Sequence, residues 1–224
     1  MEDVIKAPIE PKRARGMYDS LSRIYDYLTL YEGGAKRRGL EVAGIQSRNR
    51  VLEVGFGTGQ MLEKIMRKND GGETWGIELS PKMLKKTWHR VINLNLSNSA
   101  YLLIGDASHI PFRDGYFEII FNSYMLDLID TPVINRILRE FKRVLKPGGR
   151  LVLVSMSKGK KWYSNMKLYE WFYGLSPSVL GGCRPLFLEP MVKDAGFCNV
   201  RKEFLLAGHI MPSEIVYCER PKED

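Results

Sequence analysis

The chain reads as an α/β protein built on a doubly wound, mostly parallel seven-stranded sheet, with helices on both faces and a C-terminal antiparallel hairpin. Three observations predict this class. Short β-branched runs alternate with helical patterns between residues 50 and 156. The first run ends in an acid and enters Gly55, Gly57 and Gly59, and the second and third runs also end in acids, Glu78 and Asp106.

Residues 17–45 form one or two helices ahead of the sheet. Residues 50–59 then read as strand and tight turn, and the spacing of Met61, Leu62, Ile65 and Met66 reads as helix. A backbone without Cβ can turn sharply off the strand and let a ligand lie against it, while amides at the helix start hold an anionic group. The turn therefore points to a nucleoside-bearing cofactor. A dinucleotide fingerprint wants its third glycine where this chain has Gln60, which weakens a nicotinamide reading and leaves a plain strand-to-helix connection open.

The second strand, 74–78, ends in Glu78, about twenty residues beyond the glycines, where doubly wound folds put a ribose-binding carboxylate. A solvated acid at a strand end is the competing reading. Ser80 and Pro81 supply an N-cap and a first helical residue for a helix over 82–91. The third strand, 101–105, ends in Asp106, a suitable acceptor for an adenine amino group. A fourth, 117–121, delivers Asn122 and Ser123 to the same carboxyl edge. A helix over 133–145 stops at the Pro147-Gly148-Gly149 turn, and the fifth strand runs over 151–155. A helix over 186–195, stopped by Gly196, packs between that strand and a hairpin of 200–206 and 214–218.

In this order and spacing the pieces Glu53-x-Gly55-x-Gly57-x-Gly59, Glu78, Gly105-Asp106-Ala107, Phe121-Asn122-Ser123 and Leu145-Lys146-Pro147-Gly148-Gly149-Arg150 resemble the Rossmann-like class I S-adenosylmethionine-dependent methyltransferases over residues 48–156. The segment Tyr18 to Asp26, the loop Ile110-Pro111-Phe112-Arg113-Asp114 and the stretch Pro212 to Val216 are most similar to the ubiquinone/menaquinone-biosynthesis methyltransferases. The resemblance implies S-adenosyl-L-methionine as cofactor and S-adenosyl-L-homocysteine as product. It places Gly55, Gly57 and Gly59 along the methionine part, with Glu53 near its ammonium. Glu78 meets the ribose, Leu79 and Met83 pack near the adenine, Asp106 and Ala107 hold its edge, and Asn122 and Ser123 sit beside the methionine moiety. It also makes the N-terminal helix, with Tyr18, Tyr25 and Tyr27, a lid over the cofactor.

Composition fits one enzyme domain. The 224 residues, 44% apolar and 27% charged, suffice for a full core. Residues 1–47 read as extension and lid, 48–156 as cofactor-binding core, 157–185 as a cap insertion, and 186–224 as terminal helix and hairpin. The first sixteen residues lack the apolar centre of a secretion signal and no run is long enough to span a bilayer, so the expected location is cytoplasmic, with peripheral membrane contact as an extension of that reading. Cys183, Cys198 and Cys218 show no metal-ligand spacing and read as reduced structural thiols, so no metal is expected.

The insertion crowds Trp162, Tyr163, Tyr169, Trp171, Phe172 and Tyr173 among lysines, which suits an apolar or lipid-like small-molecule acceptor or a membrane interface; packing onto the body is the plainer account. The net charge of +8 is spread over helices, in runs such as Lys36-Arg37-Arg38, and reads first as solvated faces. Attraction to anionic lipid comes second, and nucleic acid third, since no clamp for a flipped base follows the fourth strand. Where the acceptor must lose a proton, Asp127, His109, Tyr25 or Tyr124 is the candidate base. The leading expectation is methylation of a quinone precursor or similar molecule. A phospholipid amine methyltransferase and a cofactor-binding subunit without turnover are the alternatives, with RNA methylation behind them.

Overall fold

The computed structural model of the chain describes residues 33–96, 100–157, 184–207 and 211–222. Its seven strands are β1 (Arg50–Val54), β2 (Glu73–Glu78), β3 (Ala100–Ile104), β4 (Phe117–Ser123), β5 (Leu145–Met156), β6 (Cys198–Ala207) and β7 (Met211–Glu219). They form one sheet in the order β3-β2-β1-β4-β5-β7-β6. The first five are parallel, and β7 runs antiparallel between β5 and β6. The described helices are α1 (Gly33–Ala43), α2 (Gln60–Lys68), α3 (Pro81–Asn93), α4 (Thr131–Val144) and α5 (Leu188–Asp194), with a 3-10 turn at Leu126–Leu128. This is the expected doubly wound architecture.

Both sheet faces are apolar because both are covered, as parallel sheets require. Leu52, Val54, Leu151 and Leu153 pack under α4 (Ile134, Ile137, Leu138, Phe141) and α5 (Leu188, Val192). Val51, Phe121, Val152 and Val154 face α1 and α2 through Ala35, Leu40, Met61 and Ile65. Alternate residues of β1 thus point to opposite layers, and that period of two puts Glu53 on the α1/α2 side with Val51. Its register partner is Phe121. An acid therefore stands where the pattern calls for an aliphatic side chain.

Between β3 and β4 no helix forms over residues 105–116. Aromatic rings cover that part of the sheet instead: Trp75 stacks on Tyr101 at 4.4 Å and meets the edge of Phe112 at 4.8 Å.

Several boundaries differ from expectation: α4 starts two residues early, at Thr131, and both hairpin strands are longer, beginning at Cys198 and Met211. Strand β5 begins at Leu145 rather than 151, because Leu145 pairs with Phe117 before the register jumps to Ile119 with Arg150. Pro147-Gly148-Gly149 is consequently an excursion inside the paired strand, with Gly148 at φ 73°. The carbonyls left at the end of α4 go to Arg220, whose guanidinium donates to Lys142 (3.3 Å), Arg143 (3.0 Å) and Leu145 (2.7 Å). A distant cation does what a terminal glycine motif would otherwise do. Helix α5 starts two residues later than expected, at Leu188, and ends as expected before Gly196 at φ 81°.

Of the expected N-terminal helices, α1 covers 33–43. Tyr18, Tyr25 and Tyr27, and the aromatic residues of 158–183, lie outside the described residues. The chain leaves β5 at Ser157 and returns at Arg184, and both ends are fastened at the carboxyl edge of the sheet. Ser157 bridges to Leu186, and the buried carboxylate of Glu214 accepts from Ser157 Oγ (3.2 Å) and from the Leu188 amide (3.0 Å). Burial pushes the Glu214 carboxyl above its usual range despite those donors.

Candidate functional site

The site is assembled at the carboxyl ends of β1, β2, β3 and β4, beginning with the turn after β1. Gly55 and Gly59 have φ of 72° and 78°, which a side chain adopts only with strain. Space forbids one as well: a Cβ at Gly59 would lie 2.5 Å from Thr87 Cγ2, and one at Gly55 2.8 Å from Met125 Cγ. The turn is lashed to α3, since Thr87 Oγ1 donates to the Gly57 carbonyl (2.9 Å) and Arg90 Nε to that of Thr58 (3.0 Å). Its shape is thus built before any ligand arrives.

Glu78, half-buried at the end of β2, ties two turns together. One carboxylate oxygen accepts from the Gly57 amide at 2.9 Å and the other from the Ser80 amide at 3.0 Å. Ser80 in turn caps α3 by accepting from the Met83 amide at 3.3 Å, with Pro81 as first helical residue, as the sequence predicted.

Glu53 is different. It is 2% exposed, and its Oε2 has no hydrogen-bond partner among the described residues. Burial pushes its carboxyl up to about 8, against the pull of the Lys36 ammonium, with the charge of Glu78 adding to the rise. The cavity it faces is lined also by Lys36, Gly55, Gly57, Gln60 and Ser123. A buried carboxyl oxygen without a hydrogen-bond partner, on a residue lining a cavity, suits a cation that can donate hydrogen bonds.

The other predicted residues divide into two groups. Asp106 is exposed two residues beyond Ile104, the register partner of Glu78, and its Oδ1 accepts from the Ser108 amide at 2.8 Å. Ala107 and Met83 are buried behind this edge, and Leu79 is exposed along it. These positions share one rim with Glu78. Asn122, by contrast, is buried and spends its amide on the Val54 carbonyl at 2.7 Å, so it braces β1 from behind while its neighbour Ser123 reaches the cavity. Tyr18 and Tyr25 lie outside the described residues.

The base candidates fare unequally. His109 is exposed on the loop after β3, its Nδ1 3.0 Å from Ser108 Oγ. Asp127 does not fit the role: it is fully buried, and its carboxylate accepts from Ser155 Oγ at 2.6 Å and from the Met156 amide at 2.8 Å. It fastens the loop after β4 to the end of β5. Tyr124 is buried too, with its hydroxyl on Ser213 Oγ at 2.7 Å.

Sequence reasoning missed Lys36, which was read as part of a solvated basic run. A signal was present, because Lys36 shares the 3- and 4-residue spacing of Gly39, Leu40 and Ala43, the buried stripe of α1. The solvated reading holds for Arg38 in the same run, which pairs with Glu203 at 2.7 Å on the surface. Among the described residues no helix is long and apolar enough to cross a membrane, and no cluster of His, Cys, Asp and Glu is placed to hold a metal.

Known proteins resemble this chain in family and fold. The family described as "Methyltransferase domain" matches residues 52–153. The chain is 30% identical over 219 residues to the ubiquinone/menaquinone biosynthesis C-methyltransferase UbiE of Pseudomonas syringae pv. tomato, covering 86% of this chain and 84% of that protein. Against the counterpart from Pseudomonas paraeruginosa, at 29% identity, the chain spans only 59% of the relative's length. Among solved structures, the [4+2]-cyclase SpnF superposes with a TM-score of 0.77 at 20% identity, over all of both chains. Phosphoethanolamine N-methyltransferase 2 of Haemonchus contortus, in complex with phosphomonomethylethanolamine and S-adenosylhomocysteine, gives 0.71 at 16% identity over 93% of this chain and 60% of that one. At such identities the superpositions speak for the fold alone.

Proposed function

The chain belongs to the class I S-adenosylmethionine-dependent methyltransferases, and we propose that it moves the methyl group of that cofactor to a small, apolar acceptor such as a quinone precursor. The observation that carries the cofactor assignment is the buried Glu53 carboxyl, whose Oε2 has no hydrogen-bond partner among the described residues, beside a turn with no room for a Cβ at Gly55 and Gly59. Both features suit the methionine end of S-adenosylmethionine, whose ammonium supplies the missing donor. In this reading Glu78 receives the ribose hydroxyls, Asp106 the adenine amino group, and Leu79, Met83 and Ala107 flank the base. Gly55, Gly57, Gly59 and Ser123 border the amino-acid end, with Tyr18 and Tyr25 closing over it.

The bound cofactor supplies an electrophilic methyl group on a sulfonium, and the protein's part is to align an acceptor with it and to exclude water. Where the acceptor must lose a proton, His109 or Tyr25 takes it in this proposal, Asp127 being committed to the fold. Support for a quinone-type acceptor comes from the likeness to UbiE. The insertion of residues 157–185 is assigned as its cap, since both ends of that segment are fastened at the edge where an acceptor would enter. The proposed place of action is the cytoplasm, with peripheral membrane contact where the acceptor is lipid-like.

Calorimetry with S-adenosylhomocysteine tests the cofactor site: Asp106→Ala and Gly57→Val should each weaken binding at least about tenfold, the size of one lost hydrogen bond to a ligand. Unchanged affinity in both would sink the assignment. Labelled cofactor offered with separate lipid, RNA and small-molecule extracts identifies the acceptor. Label in phospholipid or RNA alone would overturn the quinone-type acceptor, and label in none would mark a binding subunit without turnover.

A further inference from the structure

From Leu79 to Gly105 the sequence contains no aspartate or glutamate, while α3 within that stretch carries Lys82, Lys85, Lys86 and Arg90. Their three- and four-residue spacing sets like charges beside one another on the helix. Other surface cations meet acids of the fold: Arg38 pairs with Glu203 at 2.7 Å, and Lys193 and Lys202 with Glu189 at 2.8 and 2.7 Å. Arg90 is likewise committed, donating to the Thr58 carbonyl at 3.0 Å and to Glu63 of α2 at 3.4 Å. Lys85, by contrast, is exposed on the outer face of α3, three residues before Trp88.

Beside that charge lies apolar surface. Trp88 is 40% exposed and Ile92 46%, and their four-residue spacing continues the line of Leu84 along the flank of α3 turned away from Arg90 and α2. Ile104, 51% exposed, shares its sheet face with Leu102, which packs with Leu84 against the core under α2 and α3. Strand β3 is the outermost of the sheet and has no charged residue, whereas the opposite edge, β6, is guarded by Arg201, Lys202 and Glu203 and by a break in register.

A second copy docked on this strip would bring another acid-free α3 against the first. Nucleic acid would answer the lysines and leave the aliphatic Ile92 and Ile104 uncovered. An anionic bilayer meets both parts, with lysine among the phosphates and Trp and Ile side chains at the boundary between headgroups and acyl chains. We propose that α3 and the adjoining edge of β3 form the surface by which the protein docks on anionic phospholipid, Lys85 supplying charge and Trp88, Ile92 and Ile104 the apolar contact. The proposal rests on the peripheral membrane contact proposed above and gives it a surface; it is independent of which acceptor is methylated.

The test is co-sedimentation of the full chain with phosphatidylcholine vesicles, with and without phosphatidylglycerol. The wild type should bind the anionic vesicles at least about tenfold more tightly than the neutral ones. Lys85→Glu should weaken that binding about thirtyfold, two charge steps of about fivefold each, and Trp88→Ser combined with Ile92→Ser at least about tenfold. Arg201→Glu makes the same charge change on the far edge of the sheet and should alter binding less than about threefold. Circular dichroism at the assay temperature verifies that each variant is folded. A wild type that binds neither vesicle refutes the membrane contact itself, and this proposal with it. Wild-type binding that survives Lys85→Glu and the double variant keeps the contact and overturns this surface, as does a loss equally large in Arg201→Glu, which would mark diffuse net charge. Self-association of the wild type that the double variant abolishes would assign the strip to a second copy and overturn the bilayer.

Discussion

Glu53 and Asp127 are carboxylic acids at the same depth, 2% and 0% exposed, one at the fourth position of β1 and the other in the turn after β4. Asp127 gives both oxygens to donors of β5 at 2.6 and 2.8 Å, so its charge is dissolved in a finished network. Glu53 has an oxygen with no donor and a carboxyl lifted to about 8. The difference teaches that burial alone does not mark a functional acid. What marks it is an incomplete set of hydrogen bonds, because an unpaired buried acceptor is unfavourable until a ligand completes it.

The largest effect should come from breaking the finished network. Asp127→Ala leaves the Met156 amide without its acceptor and takes from the Ser155 hydroxyl the closer of its two acceptors, and should lower unfolding free energy by about 3–4 kcal/mol, read from urea unfolding. A loss below about 1 kcal/mol would remove the contrast between the two acids.

Removing the incomplete acid should do the opposite to the empty protein. The folded state holds the Glu53 proton more tightly than the unfolded chain, whose carboxyl has the ordinary value of 4.5. Stability is therefore intact below about 4.5, falls as pH rises, and levels off above about 8. Glu53→Gln should abolish that decline and exceed the wild type by about 2 kcal/mol at alkaline pH, measured by unfolding across pH. Equal stability of the two proteins at high pH would show that Glu53 carries no such penalty.

Ligand binding should show the same proton. In the proposed site the cofactor ammonium meets an ionised Glu53, and on that reading affinity for S-adenosylhomocysteine should drop up to about tenfold for each pH unit below about 8. The drop should vanish in Glu53→Gln, whose affinity is lower throughout. A pH-independent wild type would place the ammonium elsewhere. The smallest effect belongs to Ser155→Ala, which takes one donor from Asp127 and should cost about 1 kcal/mol of stability without changing cofactor affinity.

Legibility in the sequence followed the range of the interactions. The glycine turn, the Ser80 cap, the acids at the ends of β1 and β2, and the acid just beyond β3 were readable because each is set by neighbours a few residues away. The early start of β5 was not, since Leu145 becomes a strand residue only by pairing with Phe117, and the end of α4 is satisfied by Arg220 from the far end of the chain. Asn122 reads as a ligand contact by position, and the sequence did not show that one N–H of its side-chain amide donates to the Val54 carbonyl.

The amino-acid sequence by itself determined the doubly wound class, the strand order of acids along one edge and the family, because periodicity and turn chemistry are local properties. Only the tertiary structure decided which of those acids is left unsatisfied and which cation faces it. Those outcomes depend on which donors of α1, β5 and the turn after β1 arrive within hydrogen-bonding distance once the layers close. Lys36 and Glu53 are 17 residues apart in the chain and share a cavity only because α1 folds back over the sheet.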